Sequence, residues 1–89
     1  MTDLELRTCR VCGFIGKDYP WGLDNKSPEF FICCCCGAES GLDDVDVNVI
    51  SWYRNKWIAN GKNWFDKKSK PLQWDFESQR RNIPIEYLK

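Results

Sequence analysis

The chain contains no histidine, the side chain that most often acts as a general base and that commonly binds catalytic zinc. No apolar run approaches the roughly eighteen residues of a membrane-spanning helix. The formal net charge is zero, which argues against a general nucleic-acid-binding protein. A length of 89 residues allows one domain only. We therefore predict a single domain, residues 1–89, that is not an enzyme, has no small-molecule substrate and does not bind membranes.

Cysteine is the informative residue type that is present, because four of the six cysteines form two similar pairs. Cys9-Arg10-Val11-Cys12-Gly13 and Cys33-Cys34-Cys35-Cys36-Gly37 are both C-x-x-C motifs followed by glycine, with 20 residues between them. Two thiolates at this spacing can bind one metal ion, and the glycine supplies the positive φ that the turn needs. The pattern is typical of four-cysteine zinc sites. We predict one structural zinc ion bound by Cys9, Cys12, Cys33 and Cys36.

The spacing leaves two alternatives open. Cys33 could pair with Cys35 instead of Cys36, and iron could replace zinc, since rubredoxin-type sites use the same knuckles. Zinc is favoured because rubredoxin-like chains are shorter, more acidic and lack a long helical tail. Of the two remaining cysteines, we expect Cys35 to be buried as a small apolar side chain and Cys34 to be the more exposed thiol.

The first seven residues are charged and carry no apolar run, which predicts that no secretory signal is present. Four consecutive cysteines would also form a poor disulfide framework, because neighbours compete for one partner. We therefore expect reduced thiols and a cytoplasmic protein.

The order of motifs predicts an α+β fold. Residues 1–42 are expected to form a zinc-ribbon-like β unit, with strands near residues 4–8 and 29–32 that lead into the two knuckles. Residues 43–89 are expected to form a helical, aromatic half of the same core. A longer helix at residues 47–60 begins at Asp44 or Asp46 as N-cap, and a shorter helix covers residues 75–81. The predicted core that joins the two halves consists of Trp57, Trp64, Trp74 and Phe65.

The charges are distributed unevenly. Residues 1–60 hold six Lys or Arg and nine Asp or Glu, a net charge of −3, and residues 61–89 hold seven and four, a net charge of +3. Trp52 lies off the apolar stripe of the longer helix, beside Arg54, and these two residue types dominate interface hot spots. We predict a partner-binding face formed by Glu39, Asp43, Asp44, Asp46, Trp52 and Arg54. Helix capping by the acidic residues is the plainer alternative.

The ordered motifs resemble those of the bacterial cysteine-rich CPCC proteins over nearly the whole chain. The matching stretches are the two knuckles, Ser27-Pro28, Tyr53-Arg54 with Trp57-Ile58, Gly61 and Trp64-Phe65, Lys70-Pro71 with Trp74, and Asn82-Ile83-Pro84. Cys34 stands where the family has the proline of C-P-C-C. The resemblance implies the zinc-ribbon-like fold and the metal site, and it implies an accessory bacterial protein of the kind that includes immunity proteins.

We predict a non-enzymatic, zinc-stabilised protein-binding module, in its sharpest form an immunity protein whose acidic face covers the basic active site of a toxin domain. The alternative is a nucleic-acid-binding zinc ribbon that uses basic residues of the C-terminal half, namely Lys62, Lys67, Lys68, Lys70, Arg80 and Arg81. A third hypothesis is an iron-containing electron carrier.

Overall fold

The computed structural model describes residues 1–88, in which helices are the only regular secondary structure. Helix α1 spans Asp3–Leu6, α2 spans Val47–Ala59 and α3 spans Phe76–Arg80. Short 3-10 helices cover Lys67–Ser69 and Ile85–Tyr87. In this described part of the chain, every helix is too short or too polar to cross a membrane.

The prediction of an α+β fold with a β unit is wrong, because residues 1–88 contain no β-strand and no sheet. Only two isolated antiparallel bridges form, between Thr8 and Ile15 and between Ile32 and Glu39. The segment expected as the first strand begins instead with α1, since Thr2 and Glu5 form a reciprocal capping box. The second expected strand is interrupted at Phe30, whose φ of 58° is incompatible with an extended chain.

The two predicted helices of the C-terminal half are confirmed, and aspartate caps both of them. The Asp46 carboxylate accepts hydrogen bonds from the backbone N–H groups of Asn48 and Val49, at 2.8 and 2.9 Å. Asp75 accepts from two backbone N–H groups at the start of α3. Of the two candidate N-caps for α2, Asp46 is the one used.

One contiguous core joins the two halves of the chain. Residues 1–42 contribute Cys9, Val11, Cys12, Cys35, Cys36 and Ala38, and residues 43–88 contribute Ile50, Trp57, Trp64 and Phe76. Phe65, expected in this core, is 64% exposed. Phe76 is the phenylalanine buried in the core, and its ring centroid lies 5.1 Å from that of Trp57 in an edge-to-face arrangement. The cysteine knuckles are therefore part of the hydrophobic core.

Candidate metal centre

The two knuckles, residues 9–13 and 33–37, have the same backbone structure. In each, the N–H of the first cysteine donates to the carbonyl five residues later, at 2.8 Å to Phe14 and at 2.9 Å to Ala38. In each, the glycine N–H donates back to the carbonyl of the first cysteine, at 2.9 Å. Gly13 and Gly37 have φ angles of 84° and 80°. The repeated motif therefore produces the same tight turn twice.

The turns bring the four predicted ligands together. The Sγ atoms of Cys9, Cys12, Cys33 and Cys36 all lie within 4.8 Å of one another. The Sγ atoms of Cys9 and Cys36 are 3.7 Å apart, and those of Cys12 and Cys33 are 3.6 Å apart. Each close pair takes the first cysteine of one knuckle and the second cysteine of the other, so the knuckles contribute symmetrically. The alternative pairing of Cys33 with Cys35 is not the one adopted.

These distances fit a tetrahedral metal ion. A zinc–sulfur bond of about 2.3 Å places two tetrahedral ligands about 3.8 Å apart. A disulfide would need about 2.05 Å, so the four sulfurs are reduced. Burial raises the pKa of the Cys12 thiol well above its usual value, whereas a hydrogen bond from Cys12 lowers the pKa of Cys33. Four thiolates at this spacing repel one another, and a bound divalent cation would offset that repulsion. Four cysteines are thus placed to bind a metal ion.

Arg54, on the buried side of α2, bonds the first knuckle to the C-terminal segment. Its Nε donates to the carbonyl of Val11 at 2.6 Å, and its Nη2 donates to the carbonyls of Arg10 at 3.0 Å and Tyr87 at 2.7 Å. Burial and the nearby charge of Arg80 lower the pKa of Arg54, and the negative charge of the cysteine sulfurs acts in the opposite direction. The guanidinium therefore supplies positive charge beside a centre that has formal charge −2 when four thiolates hold a divalent ion.

Gln79 of α3 and Asn82, two residues beyond the end of that helix, contact the rest of the first knuckle. The Gln79 Nε2 donates to the carbonyl of Cys12 at 3.0 Å and to the Sγ of Cys35 at 3.4 Å. The Asn82 Nδ2 donates to the carbonyl of Gly13 at 3.2 Å. Together with Arg54, these contacts give all four carbonyls of residues 10–13 a side-chain donor from the C-terminal half.

The second knuckle is bonded to the same half mainly through backbone groups. The N–H groups of Phe65 and Asp66 donate to the carbonyls of Cys35 and Cys34, both at 2.9 Å. The Tyr53 hydroxyl donates to the carbonyl of the last cysteine in this knuckle, at 3.0 Å. The contacts of the second knuckle therefore come mainly from the loop between α2 and α3, whereas those of the first come from Arg54, Gln79 and Asn82.

The two cysteines outside the ligand set lie as predicted. Cys35 is fully buried, and Cys34 is half-buried beside the half-buried ligand Cys33. Burial raises the pKa of the Cys34 thiol, and the neighbouring charges of Cys33 and Cys35 act in the same direction. The four-cysteine cluster is thus closed to solvent at Cys12 and reachable at Cys33.

Three of the four acidic residues predicted to bind a partner accept hydrogen bonds from other groups of the protein. Asp43 accepts from the backbone N–H of Glu39 at 2.9 Å. Asp44 is buried, and it accepts from the indole of Trp21 at 2.9 Å and the N–H of Gly41 at 2.8 Å. Asp46 caps α2. The capping alternative therefore explains Asp46, whereas Asp43 and Asp44 each accept from a backbone N–H of the turn that leads into the helix.

Trp52 and Arg54, both predicted to bind a partner, differ in exposure to solvent. Trp52 is 62% exposed and lies under the Lys56 ammonium, 4.8 Å from the ring centroid. Arg54 is buried and cannot contact a partner. A signal for its burial exists in the sequence, since it stands four residues after Ile50 and three before Trp57 on one helix face. No comparable signal marks Gln79 or Asn82.

Comparisons of the chain with protein-family models, with curated proteins and with solved structures gave no match. The resemblance to the CPCC proteins therefore stays a prediction that rests on the motifs. The chain's own geometry shows four cysteines, from two equivalent knuckles, that are placed to bind a metal ion.

Proposed function

We propose that the protein is a zinc-stabilised, non-enzymatic module that binds another protein. The supporting observation is the set of four cysteine sulfurs within 4.8 Å of one another, with close pairs at 3.6 and 3.7 Å. Four thiolates complete a tetrahedral shell, and such closed sites stabilise folds, whereas catalytic zinc keeps a position for water. In this proposal the metal holds together a core whose regular secondary structure is limited to short helices.

Zinc is proposed rather than iron, although a tetrahedral thiolate set suits both metals. Metal analysis of protein purified without added metal should give one zinc per chain. Removal by a chelator should abolish the far-ultraviolet helix signal, and one equivalent of zinc should restore it. A visible thiolate-to-iron absorption in the purified protein would contradict the zinc assignment and would support the electron-carrier hypothesis.

Protein binding is proposed because three consecutive apolar residues before the second knuckle face outward. Phe30, Phe31 and Ile32 are 55%, 45% and 50% exposed. Contiguous exposed apolar surface is typical of protein–protein contact sites. We place the protein in the cytoplasm, where reduced cysteines are maintained and zinc thiolates persist.

The narrower proposal is an immunity protein that neutralises a bacterial toxin domain. It rests on the motif resemblance, and the hydrogen bonds that Asp43, Asp44 and Asp46 accept within the protein favour a different contact surface for a toxin. Co-expression with the product of the adjacent gene tests it. Formation of a stable complex and rescue of growth would support the proposal, and a monomeric protein that gives no protection would overturn it.

The nucleic-acid alternative stays a prediction. Three of its basic residues lie over aromatic rings, with the Lys62 ammonium and the Arg80 guanidinium near Phe76 and the Lys70 ammonium near Trp74. These cation–π contacts give the three basic side chains a structural role, packing over the rings of the aromatic core, that needs no nucleic acid. Retardation of DNA or RNA at low salt, lost steeply as salt rises, would favour the alternative over protein binding.

A further inference from the structure

Two adjoining cavities form a groove across the N-terminal half. The first has a volume of about 510 Å³ and the second about 640 Å³. Lys17, Asp18 and Phe31 line both, so the two cavities meet at these side chains. We call the combined surface the docking groove.

The first cavity is mainly apolar and lies against the metal centre. Its lining includes Cys9, Cys33 and Cys34 of the two knuckles. The apolar side chains that surround them are Phe14, Ile15, Pro20, Phe31, Ile32 and Ala38. A pocket of this kind, with an exposed aromatic at its edge, is suited to a large apolar anchor side chain from a partner.

The second cavity is acidic. One lysine, Lys17, and three carboxylates, Asp18, Asp24 and Glu29, line it, a net charge of −2. Within residues 1–88 the one salt bridge joins Arg7 and Asp3, so these three carboxylates have no ion-pair partner there. Hydrogen bonds from the backbone N–H of Lys26 and the hydroxyl of Ser27 lower the pKa of Asp24 and keep it ionised. Lysine or arginine side chains of a partner would complement this charge.

We propose that the docking groove binds a segment of a partner protein in which a large apolar side chain lies next to lysine or arginine residues. The apolar residue occupies the first cavity, and the basic residues lie over Asp18 and Glu29 in the second. This inference rests on the proposed protein-binding function and gives it a site. It also moves the acidic contact surface away from the turn at residues 43–46, where the carboxylates are used internally.

A random peptide library displayed on phage, selected on the zinc-loaded protein, provides the probe. We expect the selected peptides to share one aromatic or large aliphatic residue beside two or more lysines or arginines, and to bind less tightly as salt rises. Selection of acidic peptides, or of no peptide at all, would overturn the proposal.

The binding site is located by comparing the affinities of the selected peptides for the unaltered protein and for two groove variants. Phe31→Ala should weaken binding about tenfold as loss of an anchor contact. Asp18→Lys combined with Glu29→Lys should weaken it about tenfold by charge repulsion. All three side chains are at least partly exposed, and the backbone hydrogen bonds of Phe31 with Ser40 do not depend on its ring. Both variants should therefore fold.

Leu72→Ala and Glu86→Lys are matched controls, because both residues are exposed and neither lines the groove. Peptide affinity should be unchanged in both. Loss of affinity in the controls with none in the groove variants would overturn the groove and leave protein binding intact at another surface. Failure of both the peptide selection and the adjacent gene product to bind would overturn the groove and the proposed function together.

Discussion

The two knuckles share a sequence motif and a hydrogen-bond pattern, yet the rest of the chain surrounds them differently. The first knuckle has Val11, Cys12 and Gly13 buried, and its carbonyls accept from the side chains of Arg54, Gln79 and Asn82. The second is bonded mainly by backbone groups and has Cys33 and Cys34 half-buried beside a cavity. Local sequence thus determines the turn, and distant sequence determines which turn is closed to solvent.

The largest effect should come from losing a ligand in the closed knuckle. Zinc binding contributes about 10–16 kcal/mol in small structural sites. Cys12→Ser removes a thiolate from a fully buried position, where water cannot complete the metal shell. We expect this variant to be unfolded even with equimolar zinc.

Cys33→Ser should keep the fold with weaker zinc affinity, because water can enter beside the half-buried Cys33. Circular dichroism and competition with a chromophoric chelator measure the two outcomes.

Cys34→Ser is the matched control for the ligand variants, since it changes a thiol of the same knuckle that is outside the ligand set. Its zinc affinity should equal that of the unaltered protein. Equal loss of zinc binding in the Cys12 and Cys33 variants would remove the distinction between a closed and an open knuckle.

Arg54 and Tyr53 are adjacent in α2 and bond different knuckles, so substituting each one compares the energies of these contacts directly. Arg54→Met leaves three carbonyls without their donor and should lower the unfolding free energy by about 4 kcal/mol. Tyr53→Phe removes one hydrogen bond to the second knuckle and should cost about 1 kcal/mol. Urea unfolding at a fixed free zinc concentration measures both.

The exposed Lys56 on the same helix supplies a control, because Lys56→Met should change stability by less than about 0.5 kcal/mol. If Arg54→Met were no more destabilising than Tyr53→Phe, the additional hydrogen bonds of Arg54 would contribute nothing to stability.

The terminal glycines of the knuckles form a second matched pair. Both have positive φ, so alanine at either position should cost about 1–2 kcal/mol. At Gly13 an added Cβ would also lie 2.3 Å from the backbone carbonyl oxygen of Gln79 and would displace α3. At Gly37 the nearest atom is 3.1 Å away on the exposed ring of Phe65, which can move. We expect Gly13→Ala to be the more destabilising by about 2 kcal/mol. Equal costs in thermal or urea unfolding would show that α3 does not hold the first knuckle tightly.

The features that the sequence predicts correctly are those with a local cause. Two cysteines and a glycine at equal spacing specify each knuckle, and Asp46 with the apolar stripe from Ile50 specifies α2. The expected strands are overridden by equally local effects that the alternating pattern does not show. These are the capping box at Thr2 and the left-handed backbone at Phe30.

The contacts of Gln79 and Asn82 could not be predicted, because each joins residues almost seventy positions apart. Nothing in a polar side chain on a short helix, or just after it, indicates which carbonyl it will contact. Arg54 is intermediate, since its position on the apolar face predicts burial but not its acceptors. The four ligands are therefore encoded locally, and the difference between the two knuckles is encoded in the tertiary fold.

The smallest effect concerns the alkaline titration of Tyr53, the side chain that covers the second knuckle. Burial raises the pKa of its phenol to about 12, and the negative charges of Cys36 and Asp43 act in the same direction. A tyrosinate absorbance titration should show a late step near that pH. Tyr53→Phe should remove the late step.

The direction of the accompanying stability change follows from linkage. The pKa of Tyr53 is higher in the folded protein than the value of about 10 in an unfolded chain. Its protonated form is therefore favoured by folding, and the stabilisation is complete below pH about 10 and lost as the pH rises through about 12. The unfolding free energy of the Tyr53→Phe variant should fall less steeply over this interval than that of the unaltered protein. An identical pH slope in the two proteins would mean that the phenol is as well solvated in the folded state as in the unfolded chain. In that case the second knuckle would be more open than its hydrogen bonds indicate.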